Sequence, residues 1–339
     1  MQDPLTLNQF FTRFYLNKPS IVSGSKATAS FYKCELANFE RYFLFWLSQA
    51  GEPAREPTLH DLSKFHIEGA MAYQLRERGV TRPTANKVRR AMRAIWEYAA
   101  EPDFNLGIAP PPKIDKYREP KREPTCWSID EFGQILFAAS ELDGMVGSIP
   151  RSTWFTALLW LVYNSGLRIS AAMATQWDWI DMAERRLVVE PEFRDDDGNM
   201  QRVQKDDEGQ MVQLLPETVE ALRPLLRAGR PPGVFDDWPY DRGCEQWVAL
   251  NRVLRTCLID AGLRPDAESV SKRDYFHKIR RVFATYITIE SGIETARQML
   301  GHSTVQVTWR YIDKSKLPQK SQADLLPCPR PQALRIVRA

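Results

Sequence analysis

Between Gly107 and Cys126 the chain reads IAPPPKIDKYREPKREPTC, and this segment constrains the fold more than any other. Pro110, Pro111, Pro112, Pro120 and Pro124 lack backbone donors and push the residues before them out of helical geometry, while the charges between them leave no apolar periodicity. Such a stretch cannot occupy the interior of a helix or a sheet. It therefore divides the 339 residues into two parts, each long enough to bury a core of its own. The expected organisation is a helical domain over 1–106, an interdomain linker over 107–126, a second domain over 127–317 and a proline-broken tail over 318–339.

The first part reads as helix throughout: TLNQFFTRFYLN, a long segment from Lys26 to Ala50, LHDLSKFHIEGAMAYQLRERG, and TANKVRRAMRAIWEYAA. In the last of these, Val88, Met92, Ile95 and Ala99 recur at helical spacing, and Thr84 is placed to cap the start. Lys87, Arg90 and Arg93 fall off that stripe. After the proline segment, Ser128 and Glu131 form a capping box ahead of Phe132, Ile135, Leu136 and Ala139. A helix over 152–165, apolar on nearly every side, is expected at the centre of the second domain and ends at Gly166. RRLVVEPEF, MQRVQK and QMVQLL, separated by the turn sequences DDDGN and DDEG, predict a small three-stranded antiparallel sheet. Helices then resume up to Tyr311. The fold class is mainly α with a small antiparallel β-sheet, an α+β arrangement.

A net charge of +3 neither demands nor excludes nucleic acid, but the basic residues are clustered. Arg82, Lys87, Arg89, Arg90 and Arg93 run without an acid among them, and Lys272, Arg273, Lys278, Arg280 and Arg281 make a second run broken only by Asp274. Local basic charge is what a surface that follows phosphates requires. Five cysteines, at 34, 126, 244, 257 and 328, form no C-x-x-C pair and no zinc spacing, so neither a disulfide framework nor a structural metal is expected. No apolar run has the length of a membrane span, and the start MQDPLTLNQFF lacks the basic and apolar pattern of a signal peptide. A cytoplasmic protein is expected.

The densest chemistry lies between His277 and Tyr311. His277 and Arg280 form an H-x-x-R pair on one helical face, Leu300, Gly301 and His302 spell LGH, and Tyr311 follows His302 by nine places. Six specified residues at fixed spacing have a chance frequency on the order of 10⁻⁷ per position, at roughly 5–9% usage each. Farther back, NSGLRIS carries Arg168 directly after the apolar helix, and Lys205 ends MQRVQK at a tight turn. With these motifs the chain resembles the tyrosine recombinases of the phage integrase family, over 125–317, and the helical domain resembles that family's core-binding domain. The resemblance implies that Arg168 and Arg280 bind the phosphate, that Lys205 is the hairpin lysine, that His277 and His302 are the two histidines of the site, and that Tyr311 is the nucleophile. Family members often carry an acid three places after the first arginine, where this chain has Ala171.

The chemistry selects the same residues. A phosphodiester repels nucleophiles by its own charge, so a site that attacks it needs cations at the nonbridging oxygens, a strong nucleophile and an acid for the leaving oxygen. Two arginines offer forked donors, a phenol becomes nucleophilic beside positive charge or a base, and a lysine can protonate the departing 5′ oxygen. A tyrosyl phosphate conserves the energy of the broken bond, so no ATP is needed, and the sequence contains no P-loop. The resemblance further implies a C-shaped clamp on double-stranded DNA, four protomers on two paired sites, and a tail packed on a neighbour. Lys87, Arg89, Arg90, Arg93 and Arg281 are candidate DNA contacts. A type IB topoisomerase shares this chemistry, and a non-catalytic DNA-binding relative shares the scaffold. The compact helical domain and the motif spellings favour the recombinase over the first, and the complete residue set favours it over the second.

Overall fold

The computed structural model describes residues 5–22, 26–119, 123–194, 200–203, 209–227, 231–240, 244–263 and 275–318. The chain divides into two compact units, Met1–Lys121 and Arg122–Ala339.

The first unit is built from helices α1 (Leu7–Arg13), α2 (Pro19–Val22), α3 (Lys26–Ala50), α4 (Lys64–Arg76) and α5 (Arg82–Ala99). Phe10, Phe39, Phe43, Ile67, Val88, Met92 and Ile95 are fully buried between them, so the stripe read on α5 is its packing face. The start of α5 differs from expectation. Thr81 is its N-cap residue and Thr84 lies inside the first turn, because Pro83 fits a position whose N–H has no helical acceptor in any case. The proline segment also differs: residues 107–119 lie along α5 rather than free of it. Trp96 Nε1 donates to the Ala109 carbonyl (2.7 Å), Asn86 Nδ2 to the Tyr117 carbonyl (3.0 Å), and Ile114 is buried in the first core. Extended backbone leaves its carbonyls unpaired, and α5 supplies side-chain donors for them. The boundary between units falls at Lys121, in the last third of that segment.

The second unit contains α6 (Ile129–Ser140), α7 (Arg151–Ser165), α8 (Ile169–Met173), α9 (Pro216–Leu222), α10 (Cys244–Asp260), α11 (Tyr275–Ser291), α12 (Ile293–Met299) and α13 (Val305–Thr308). The capping box that opens α6 is present, with Ser128 N–H donating to Glu131 (2.6 Å) and Glu131 N–H to Ser128 Oγ (3.1 Å). Trp154, Phe155, Leu158, Leu159, Leu161 and Val162 of α7 are all fully buried, so α7 is the centre of this core. The strands are β1 (Met145–Val146), β2 (Ile149–Pro150), β3 (Ile180–Asp181), β4 (Arg186–Val189), β5 (Glu192–Arg194), β6 (Met200–Arg202) and β7 (Gln210–Gln213). A three-stranded antiparallel sheet exists, in the order β3-β4-β7, but its membership corrects the sequence reading. RRLVVEPEF splits at Pro191, which has no N–H for a ladder; β5 pairs instead with β6 as a separate hairpin, and Ile180–Asp181 supplies the third strand.

The unit closes through Asp313, which is buried. Its Oδ2 accepts from the Cys126 N–H (3.0 Å), its Oδ1 from the Ser315 N–H (3.1 Å) and hydroxyl (2.6 Å), and its own N–H donates to Thr285 Oγ1 on α11 (3.0 Å). Burial raises the carboxyl pKa, but the hydrogen bonds from Ser315 and Cys126 outweigh it and hold the group below its ordinary value. Residues 126, 285 and 313, far apart in sequence, are thus fixed together two positions from Tyr311. Asp313→Ala is expected to destabilise the second unit by about 1–3 kcal/mol, since it leaves a buried N–H unpaired. Urea denaturation followed by tryptophan fluorescence measures this, and a change below about 0.5 kcal/mol, the scale of a surface substitution, contradicts it.

Candidate active site

The site is organised by Arg280, whose side chain is only 2% exposed. The helical period of α11 turns Ile279 and Arg280 inward and leaves His277 exposed at the start of the helix. Arg280 Nη1 donates to the Gly166 carbonyl, and Nη2 donates to the Leu300 carbonyl (2.8 Å) and lies 3.1 Å from His302 Nε2. Gly166 is the C-cap of α7 and Leu300 that of α12. Helix C-termini carry unpaired carbonyls and partial negative charge, so one guanidinium satisfies two of them and is held in the interior by them. Its Cζ sits 5.4 Å from the centroid of the Tyr311 ring.

Arg168 is presented by the turn between α7 and α8. Gly166 takes a left-handed conformation (φ 61°) and lies so close to the Phe283 ring on α11 that a Cβ there would collide with it. Leu167 is buried, and Arg168, as N-cap of α8, emerges half-buried beside the site. Ala171, at the position where relatives often carry an acid, is packed into the core. A residue that sequence reasoning missed braces the same turn. Gln210, at the start of β7, is 7% exposed, and its Nε2 donates to the carbonyls of Ser165 (3.2 Å) and Met299 (2.6 Å). It therefore meets the same two helix ends as Arg280. The alternation of QMVQLL, which puts Gln210 on the face of Val212 and Leu214, was the available signal. Lys205 lies outside the described residues, as do Lys272 and Arg273.

His302 follows Gly301, whose φ of 63° turns the chain out of α12. The imidazole is 2% exposed, with Nδ1 3.1 Å from Thr308 Oγ1 and its ring centroid 4.9 Å from that of Tyr311. Arg297 Nη1 donates to the His302 carbonyl (2.7 Å) and its guanidinium pairs with Glu294. Burial first, and then the positive charges of Arg280, Arg168 and Arg297, push the imidazole pKa down to about 3. The His277 ring lies 6.4 Å from Tyr311, centroid to centroid. Tyr311 is half-buried, its N–H bonded to the Thr308 carbonyl (2.8 Å). His277, Arg280, His302 and Tyr311 thus form one cluster, and Arg168 is close enough to act on His302 electrostatically.

The candidate DNA contacts of the first unit differ among themselves. Arg90 is exposed and stacks over the Phe31 ring (4.7 Å), Lys87 is half-buried, and Arg93 pairs with Glu97 (2.8 Å). Arg89 is turned to the protein's own backbone and donates to the Ile114 carbonyl (3.0 Å). Arg281 is half-buried on α11. Among the described residues no group of His, Cys, Asp and Glu is arranged to hold a metal ion, and no helix is long and apolar enough to cross a membrane.

Residues 130–317 match the model of the phage integrase family. Tyrosine recombinase XerD of Mycobacterium tuberculosis (strain H37Rv) is 26% identical over 327 residues, covering 88% of this chain and 90% of its own. Tyrosine recombinase XerC of Alcanivorax borkumensis is 23% identical over 271 residues, covering 77% and 78%. Among solved structures, the Tn1549 transposon integrase in complex with a circular intermediate DNA superposes with a TM-score of 0.64 at 13% identity, over 95% of this chain and 97% of that one. The XerH site-specific recombinase bound to its difH substrate, in a post-cleavage complex, gives 0.63 at 15% identity, over 86% and 78%. These likenesses extend to the fold of the helical unit as well as the second.

The His302 pKa has a consequence for stability. The fold favours neutral imidazole, with a pKa of about 3 against the ordinary 6.5, so the unfolded chain binds a proton over a range where the folded one does not. This contribution is complete above about pH 6.5 and is lost progressively as the pH falls toward 3. His302→Asn is expected to flatten the acid side of the stability profile relative to wild type, measured by denaturant unfolding between pH 7 and pH 4. An identical acid slope in the two proteins contradicts this.

Proposed function

The chain belongs to the phage integrase family, and from that premise we propose that it is a site-specific DNA recombinase that cuts and rejoins strands through a 3′-phosphotyrosine. Tyr311 Oη attacks the scissile phosphorus, a phosphotyrosyl bond forms as the bond to the 5′ oxygen breaks, and the phenolic proton is lost. Lys205, on the segment between β6 and β7, supplies the proton that the departing 5′ oxygen takes up. Arg168 and Arg280 neutralise the nonbridging oxygens, where charge builds in the transition state. His277, the exposed imidazole nearest Tyr311, receives the phenolic proton or stabilises its departure. The reverse attack by a 5′ hydroxyl of another strand regenerates Tyr311 and seals the exchange, with no cofactor consumed.

The observation that carries this reading is the placement of Tyr311: a half-buried phenol with an imidazole 4.9 Å away and a buried guanidinium 5.4 Å from its ring. A tyrosine that only packs requires neither. Positive charge beside the phenol also draws the anionic phosphodiester to the oxygen that attacks it. Double-stranded DNA is the partner, in accord with the DNA complexes of the two structural neighbours, and recombination between two sites calls for four protomers working in the cytoplasm. Arg90 and Lys87, with Arg93, form the face of the helical unit that follows the phosphates, and Arg281 is a further contact in the second unit. Arg89 contributes to this face indirectly, by fixing the segment at Ile114 against α5.

A nicked duplex that traps the covalent intermediate tests the assignment. The wild-type chain is expected to form a denaturation-resistant protein–DNA adduct, and Tyr311→Phe to bind the same duplex with equal affinity while forming none. An adduct that persists in Tyr311→Phe contradicts the assignment.

A further inference from the structure

His302 has two ring nitrogens and a distinct neighbour at each. Nε2 lies 3.1 Å from Arg280 Nη2, and Nδ1 lies 3.1 Å from Thr308 Oγ1. A guanidinium has only donors, so Nε2 must present its lone pair to it, because a proton on Nε2 would set donor against donor. A neutral imidazole that accepts at Nε2 carries its one proton on Nδ1. The acceptor for that proton is the Thr308 hydroxyl. We propose that Thr308 is a positioning residue that locks His302 in the neutral Nδ1–H form, so that His302 orients Arg280 as a hydrogen-bond acceptor and carries no proton in the reaction.

The inference rests on the recombinase reading and assigns labour within that site. His302 and Thr308 are both inaccessible to solvent, and Thr308 ends α13 three residues before Tyr311, so the hydroxyl, the imidazole and the nucleophile are tied into one short segment. Free imidazole favours the opposite tautomer, with its proton on Nε2, and that form would turn a donor toward Arg280. The groups facing the ring from each packed element are Arg280 of α11, Arg168 at the start of α8 and Arg297 of α12, all cationic, together with Tyr311. Three positive charges and burial all oppose an imidazolium here, in agreement with the depressed pKa. Of the two histidines near Tyr311, the exposed His277 is therefore the one available for proton transfer. Thr308 is the hydroxyl that makes this division hold.

Nitrogen-15 spectra of histidine-labelled full-length protein without DNA read the tautomer directly, with the His302 signals identified by their loss in His302→Asn. The wild type is expected to show protonated Nδ1 and unprotonated Nε2 between pH 5 and pH 8. Thr308→Val, of similar shape without the hydroxyl, is expected to lose that preference and to cleave the nicked duplex roughly tenfold more slowly at unchanged DNA affinity, the scale of one hydrogen bond. Thr308→Ser, which keeps the acceptor, is expected to restore both tautomer and rate. An Nε2–H or imidazolium signal in the wild type overturns the proposal, as does a Thr308→Val that slows cleavage with the tautomer unchanged, which is the mark of a purely structural role. If Thr308→Val does not fold, the wild-type and Thr308→Ser spectra decide the question. If the wild type forms no adduct with DNA, the recombinase reading fails while the spectra still decide the tautomer.

Discussion

A single buried cation, the Arg280 guanidinium, is the interaction on which the second unit's functional geometry depends. Removing a guanidinium from water is expensive, and the expense is tolerable only where its donors are met. Here Nη1 and Nη2 are met by the carbonyl ends of α7 and α12. Each helix end needs a donor and the arginine needs acceptors, so the three elements fix one another. The helix termini that carry GLRIS and LGH are held together because both are bound to the residue that closes H-x-x-R.

The remaining features follow from that bond. Gly166 must be glycine, both for its left-handed backbone and for the Phe283 ring pressed against it, and the turn it makes delivers Arg168 to the site. Gln210 repeats the arrangement one carbonyl back on each helix, at Ser165 and Met299, with a neutral amide in place of a cation. This also links β7 to the same two helix ends. His302 is kept neutral by its burial and then by the cations around it, while Asp313 and its hydrogen bonds to residues 126 and 285 anchor the chain just beyond Tyr311. A positive interior with a tyrosine at its edge suits an anionic substrate that arrives from outside.

Much of this was legible in the sequence, for identifiable reasons. The α5 stripe, the α6 capping box and the apolar α7 are local patterns, and each was found where periodicity and capping chemistry put it. The H-x-x-R, LGH and Tyr311 spacing was legible because a few residue types had to recur in a fixed order. What was missed depends on contacts distant in sequence. Gln210 and Asp313 look like ordinary polar residues until the fold buries them, and Thr308 looks like helix filler until His302 is placed beside it. Pro191 was visible, but its effect on strand membership depended on which strands lay next to it. The proline segment was read as free linker because its partners, Asn86, Arg89 and Trp96, belong to a helix whose polar residues looked solvent-directed.

The central claim is that Arg280 works as a fork, joining two helix ends beside Tyr311, and does more than contribute a positive charge. Arg280→Lys separates the two, since lysine keeps the charge but cannot make parallel bonds in a fixed plane. The decisive measurement is the single-turnover rate of covalent adduct formation by Arg280→Lys at saturating nicked duplex, on protein whose circular dichroism matches wild type. A fall of roughly 10² to 10³ in that rate, the scale of losing one transition-state donor, is the predicted result. A rate within a few-fold of wild type contradicts the account.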